Sequence, residues 1–155
     1  MVWWKLLRKS WRRGQALTLT DLWLLGKLAT LLLAIRLGLV LLPFQTVRRI
    51  LAQAATLPAP GQPPQPQQLA RIVWAATVMG RYLLGNKPCL PQALAVQLLY
   101  RRQGCPAALQ IGVAKDASGR LLAHAWVESG GQIVIGGAHS PQHFTPLPSL
   151  EQIPL

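Results

Sequence analysis

The sequence predicts an α+β fold in which helices precede a small antiparallel sheet. Apolar residues recur at helical spacing in four segments, 22–42, 45–55, 69–84 and 89–103. Strand-like composition follows in three shorter segments, 109–114, 120–128 and 132–135. The turn sequences 115–119 and 129–131 join these strands, and such short connections favour antiparallel neighbours.

The amino-acid composition predicts a folded and strongly basic protein. Of the 155 residues 51% are hydrophobic and 13% are charged, which supplies ample apolar material for a core. The 16 basic residues against 4 acidic ones give a net charge of +12, which favours an acidic partner such as anionic lipid, nucleic acid or an acidic peptide. The two cysteines, Cys89 and Cys105, make no disulfide framework, and no Cys/His cluster has metal-ligand spacing. We therefore expect a reducing compartment and no metal site.

The chain is predicted to consist of two parts joined by a linker. Residues 1–56 form a basic, apolar helical region, 57–68 a Pro-rich linker, and 69–155 the domain that carries the chemistry. Residues 1–14 hold five basic residues and three tryptophans. That pattern fits a segment that binds a membrane surface, and it equally fits a helix that packs on a neighbour.

The apolar run 22–42 raises the question of a transmembrane helix. Its length is sufficient for a span, but Lys27 and Arg36 interrupt it, and each charge is costly near the centre of a bilayer. We read Thr20–Asp21 as its N-terminal cap. The preferred interpretation is two helices, broken near Pro43, that pack on a core, with peripheral membrane contact favoured over a span.

Cys89 and His124 are the candidate catalytic residues. Pro91 fits the first turn of a helix that starts at Cys89, and a thiol in that place lies at the positive end of the helix dipole, which stabilises the nucleophilic thiolate. His124 follows 35 residues later in the strand segment 120–128. A cysteine on a helix and a histidine on a strand suit thiolate–imidazole catalysis. The alternative is a small buried hydrophobe and a structural histidine.

Three ordered motifs resemble the lasso peptide B2 family. They are Cys89-Leu-Pro-Gln-Ala-Leu-Ala, Leu109-Gln-Ile-Gly-Val113 and Ala123-His-Ala-Trp-Val-Glu128, and the likeness covers roughly residues 69–147. The resemblance implies a papain/transglutaminase-like cysteine peptidase core, with helices packed on a small antiparallel sheet. It implies that Cys89 is the nucleophile, that His124 is the general base and then the acid, and that the reaction removes the leader from a lasso peptide precursor.

The same resemblance implies the partners of the protein. They are the leader region of the precursor, a separate leader-binding recognition protein, and a lasso cyclase that uses ATP. It implies no cofactor for the peptidase itself, and no nucleic acid partner is expected. We expect a cytoplasmic protein, with membrane association through the N-terminal region.

The chain departs from the family pattern at the residue that orients the histidine. An Asp is usual on the strand after His-Ala-Trp, near 134–137, where this chain reads Val-Ile-Gly-Gly. Glu128 is the nearest acid, but four strand residues separate it from the histidine by about 13 Å. A backbone carbonyl, Gln132 or His139 would serve instead. Trp126 packs beside the site or serves as a core aromatic residue.

Three other functions stay open from the sequence alone. The missing carboxylate motivates a catalytically weak scaffold that docks the recognition protein and the cyclase. The same Cys–His chemistry would serve an acyl transferase with an amine acceptor. The net charge of +12 and the Trp/Arg-rich start motivate a basic protein associated with membrane or nucleic acid.

Overall fold

A computed structural model of the chain describes residues 18–56, 65–85, 88–137 and 143–148. The described residues form four helices, α1 Leu19–Leu41, α2 Phe44–Ala55, α3 Pro66–Leu84 and α4 Cys89–Arg102. Four strands follow, β1 Ala108–Lys115, β2 Leu121–Ser129, β3 Gln132–Ile135 and β4 Thr145–Pro146. The predicted α+β class is confirmed. The N-terminal segment 1–14 and His139 lie outside the described residues.

A reciprocal pair of hydrogen bonds defines the start of α1. The Thr18 hydroxyl accepts from the N–H of Asp21 at 3.2 Å, and the Asp21 carboxylate accepts from the N–H of Thr18 at 3.0 Å. The cap predicted at Thr20–Asp21 is therefore wrong by two residues, because the carboxylate at the third helical position reaches back to the N-cap. The Arg71 Nε of α3 also donates to Asp21 at 3.0 Å, which ties the start of α1 to α3.

The Asp21 contacts make stability depend on pH. Hydrogen bonds from Thr18, foremost its side chain, and from the Arg71 side chain lower the pKa of the Asp21 carboxyl from 3.8 to about 2. Their stabilisation is present above about pH 4 and is lost as the pH falls through 2. We expect Asp21→Asn to cost about 1 kcal/mol at pH 7. Thermal unfolding at pH 7, 4 and 2 should show the gap from wild type closing below pH 4, and a gap independent of pH would contradict this.

One core joins the helices to one face of the sheet. Buried apolar side chains from α1, α3, α4 and the strands form a single cluster that includes Leu28, Leu32, Ile72, Leu94, Leu109 and Val127. The predicted pair of helices packed on a core is confirmed, since α1 ends at Leu41 and α2 begins at Phe44. Most of the predicted linker lies outside the described residues, so the division into two parts stays a prediction. The helices on its two sides nevertheless share this core.

The sheet has the order β3-β2-β1-β4, and every neighbouring pair is antiparallel. The three-stranded meander that the sequence predicts is confirmed. Strand β4 is an addition, because a two-residue strand in a Pro-rich segment carries no alternating pattern. It pairs with β1 through Gly112 opposite Pro146 and Val113 opposite Thr145.

A buried glutamine locks the start of α4 against α3. Gln92 is only 9% exposed, and its Nε2 donates to the carbonyl oxygen of Ala76 at 3.1 Å. Gly80 makes room for this amide, since a Cβ at that position would collide with the Gln92 side chain. Because Gln92 lies one turn after Cys89, the same contact fixes where the cysteine stands.

Candidate active site

Cys89 is the first residue of α4, as the sequence predicts. Pro88 is the N-cap, and no side chain caps this helix. The first bond within the helix runs from the N–H of Gln92 to the carbonyl oxygen of Pro88 at 3.0 Å. The N–H groups of Cys89 and Leu90 precede it, where a helix offers no acceptor of its own. The half-buried free thiol therefore stands beside backbone donors that point out of the helix end.

The imidazole of His124 is oriented by a backbone carbonyl. Its Nε2 lies 2.6 Å from the carbonyl oxygen of Gly136, the residue directly after β3. A carbonyl can only accept, so Nε2 must carry the hydrogen, and Nδ1 of the neutral ring keeps the lone pair. Gly136 belongs to the segment 134–137, where the sequence lacks a carboxylate. Nδ1 is thus the atom available to take a proton from a thiol.

Two aromatic rings hold the imidazole from its sides. The Phe144 ring stacks on it with centroids 5.1 Å apart, and the Trp126 ring does so at 6.4 Å. Trp126 is fully buried, and its indole N–H donates to the Glu128 carboxylate at 2.9 Å. Glu128 therefore anchors the indole, while Gln132 lies exposed at the far end of β3. The supporting roles of all three predicted residues stay predictions.

The two candidate catalytic side chains make no hydrogen bond to each other in the described part of the chain. Ala125 and Val127 belong to the core shared with the helices, so the alternation of β2 places His124 and Trp126 on the opposite face. Both Cys89 and His124 are described, and the hydrogen bonds of the described residues include none between them. Catalysis by this pair requires a closer approach, and catalytic hydrogen bonds often tighten only when substrate is bound.

Cys105 lies outside this site and has a structural environment. It is half-buried against the core, and its N–H donates to the carbonyl oxygen of Tyr100 at 3.0 Å. Burial, and to a smaller extent the neighbouring Cys105, raises the pKa of Tyr100 to about 12. Among the described residues no group of three or more His, Cys, Asp or Glu side chains could hold a metal ion.

The sequence predicts a backbone carbonyl as one alternative for orienting His124 without naming Gly136, and it does not predict Phe144. The signal for the Gly136 carbonyl is the glycine pair 136–137, which replaces the carboxylate of the family pattern. The sequence does not show in which direction that carbonyl points. Phe144 gives no signal, because it stands alone before a two-residue strand.

The hydrogen bond to Gly136 predicts the tautomer of the His124 imidazole. We expect neutral His124 to carry its hydrogen on Nε2, because the carbonyl oxygen holds that atom at 2.6 Å. Long-range proton–nitrogen correlation spectra of the imidazole nitrogens test this, with His124→Gln to assign the signals among the 3 histidines. A neutral ring protonated on Nδ1 would overturn the assignment.

Comparison with known proteins identifies the family. A family model described as the transglutaminase-like superfamily matches residues 29–149. The chain therefore belongs to the transglutaminase-like superfamily, which includes cysteine peptidases and acyltransferases. The match contains both Cys89 and His124, and it confirms the predicted transglutaminase-like core. Neither the curated proteins nor the solved structures contain a significant match to this chain.

Proposed function

We propose that this protein is a cysteine peptidase that removes the leader from a ribosomally made lasso peptide precursor. The observation that carries the proposal is a cysteine at an uncapped helix start together with a histidine oriented by Gly136, in a chain of the transglutaminase-like superfamily. The motifs around Cys89 and His124 resemble those of the lasso peptide B2 family, which supplies the substrate class.

The reaction begins with attack of the Cys89 sulfur on the carbonyl carbon at the leader–core junction. Nδ1 of His124 takes the thiol proton and passes it to the core amine as the peptide bond breaks, which leaves the leader as a thioester. Water then attacks the thioester and gives a proton to Nδ1, and that proton returns to the departing sulfur. The N–H groups of Cys89 and Leu90 are the candidate donors to the tetrahedral oxyanion.

The Gly136 carbonyl supplies the orientation that an aspartate commonly gives. Removing such a carboxylate from a serine protease lowers kcat about 10⁴-fold, because the imidazole adopts the wrong tautomer. A carbonyl oxygen 2.6 Å from Nε2 likewise selects one tautomer, here the one in which Nδ1 is the base, and it stabilises the imidazolium through its dipole. It carries no full negative charge, and a thiol needs less help than a hydroxyl to lose its proton. The fixed tautomer and the greater acidity of a thiol therefore support activity without an aspartate.

The proposed reaction requires partners that recognise and use the peptide. We propose that a separate recognition protein binds the leader and delivers the precursor in the cytoplasm. A lasso cyclase that uses ATP then consumes the released core. The net charge of +12 favours an acidic surface on one of these partners.

Mass spectrometry of a lasso precursor incubated with the protein and a matched recognition protein tests this function. The Cys105→Ala protein leaves Cys89 as its only thiol, because the chain has 2 cysteines. We expect one cut at the leader–core junction, and we expect alkylation of this single-thiol protein with iodoacetamide to abolish the cut. Leader joined to an added amine such as glycinamide, in place of free leader acid, would indicate an acyl transferase.

The lack of a hydrogen bond between Cys89 and His124 among the described residues favours a second candidate, a catalytically weak scaffold. In that case the folded protein binds the recognition protein or the cyclase but leaves the precursor uncut. Binding without cleavage, in the presence of a matched recognition protein, would exclude the peptidase and select the scaffold.

A further inference from the structure

Helix α1 is apolar on two opposite faces. The inner face is fixed in the core, where Leu28, Leu32 and Ile35 are 0–3% exposed. Large apolar side chains on the outer face are 49–85% exposed, and we call them the outer stripe: Leu19, Leu22, Trp23, Leu33, Leu37, Val40 and Leu41. The stripe is interrupted in its middle, where exposed Gly26 and Thr30 lie on the same face. Single exposed apolar residues are ordinary on a protein, but apolar residues clustered on one face at both ends of a helix mark an interaction surface.

Two cations border the outer stripe. Lys27 and Arg36 are both exposed, and nine helical residues place them about 180° apart around the axis, one on each side of the stripe. The Lys27 ammonium also lies 5.1 Å from the centre of the Trp23 ring. A helix that lies in a membrane interface has this arrangement, because its apolar face enters the acyl chains while long basic side chains reach the phosphates.

The net charge of the chain favours an anionic surface as the partner of the stripe. The chain carries +12, and the 14 residues at its start hold five basic residues, three tryptophans and no acid. Arg102 contributes to the positive potential near the stripe, since burial first and Arg102 second lower the pKa of Lys27. Within α1 the acidic residue Asp21 is already engaged by Arg71. Anionic lipid headgroups complement such a surface.

The packing of α1 determines its orientation. By length and composition this helix, alone among the described helices, could cross a membrane. A span would pull Leu28, Leu32 and Ile35 out of the core and break the contact of Arg71 with Asp21. We infer that α1 docks the protein in the plane of an anionic membrane, with the outer stripe among the acyl chains and Lys27 and Arg36 at the phosphates. The inference does not depend on the peptidase function.

Sedimentation with vesicles tests the docking. The full chain is mixed with phosphatidylglycerol/phosphatidylcholine vesicles and, for comparison, with pure phosphatidylcholine vesicles, each at low and high salt. We expect binding to the anionic vesicles that weakens at high salt. Leu37→Glu should lower partitioning by about tenfold or more, and Lys27→Gln or Arg36→Gln by about fivefold each.

Leu121→Glu is the matched control, because Leu121 is 72% exposed and belongs to β2 rather than to α1. It should bind vesicles as the wild type does, and circular dichroism should show all variants folded. Equal binding to both vesicle types, or wild-type binding by Leu37→Glu, would overturn the inference. The inference would also be overturned if the protein formed dimers, or complexes with the recognition protein, without vesicles and Leu37→Glu abolished them. The outer stripe would then be a protein–protein interface. Cleavage of the precursor in solution should be unchanged in Leu37→Glu, which keeps this test separate from that of the peptidase.

Discussion

Cys89→Ala is expected to abolish cleavage of the precursor while leaving the fold intact. The variant lacks the sulfur that forms the thioester, and the methyl group of alanine cannot act as a nucleophile in its place. Removing the nucleophile of a serine protease lowers kcat by about 10⁶-fold, and a loss of that size would put any residual cut below detection. The thiol is half-buried and lies outside the core cluster, and an alanine there preserves the helix. Single-turnover mass spectrometry gives the rate, and thermal unfolding verifies the fold.

Cys105→Ala is the control for this substitution. Its side chain packs at the margin of the core, while its backbone N–H keeps the hydrogen bond to Tyr100. We expect cleavage close to that of wild type after a stability loss of about 1 kcal/mol. Cleavage retained in Cys89→Ala but lost in Cys105→Ala would show that the nucleophile has been assigned to the wrong cysteine.

Gly136→Ala is expected to destabilise the protein and to slow cleavage at the same time. The backbone of Gly136 has φ +104°, which an L side chain rarely adopts. An added Cβ would lie 2.7 Å from the Cα of Trp126 and 2.9 Å from the carbonyl oxygen of Ala125. Strain and overlap together should cost about 2–4 kcal/mol. The backbone must shift to relieve this overlap, and the shift moves the carbonyl oxygen of residue 136 away from Nε2 of His124. The imidazole then loses its preference for one tautomer.

Gly119→Ala separates the backbone strain from the overlap. Gly119 has φ +79°, but a Cβ at this position meets nothing within 4 Å, and the residue lies in the turn before β2. We expect it to cost about 1 kcal/mol and to leave kcat/KM unchanged. The proposed role of the carbonyl requires kcat/KM to fall in Gly136→Ala at a temperature where both variants are folded. It also requires the imidazole spectrum of Gly136→Ala to show loss of the Nε2-protonated form. Unchanged kinetics and spectrum would assign Gly136 a purely structural role.

The elements that carry their own periodicity could be predicted from the sequence. Strand β3 has the predicted bounds, and α4 begins at the predicted Cys89, because a proline in the first turn and alternation in the strand are local signals. The predicted cap of α1 differs from the observed one because both Thr18 and Thr20 are acceptable capping residues. Only the reach of the Asp21 carboxylate back to the N-cap decides between them.

The site depends on geometry that no local pattern encodes. The direction of the Gly136 carbonyl follows from how the chain leaves β3 against Trp126, and both are set by packing between strands. The distance between the Cys89 and His124 side chains depends on how the start of α4 packs relative to β2. The outer stripe of α1 is hidden in the sequence for a related reason, since an apolar run shows no difference between its covered and its uncovered face.

The contact between Gln92 and Gly80 constrains how this protein can diverge. The amide fills the space that any side chain at position 80 would need, so a larger residue there displaces Gln92 from its hydrogen bond to Ala76 unless position 92 becomes smaller. A library that randomises position 80 alone should return almost exclusively glycine. Randomising both positions should recover compensated pairs such as alanine with alanine. In natural homologues we therefore expect the two positions to change together.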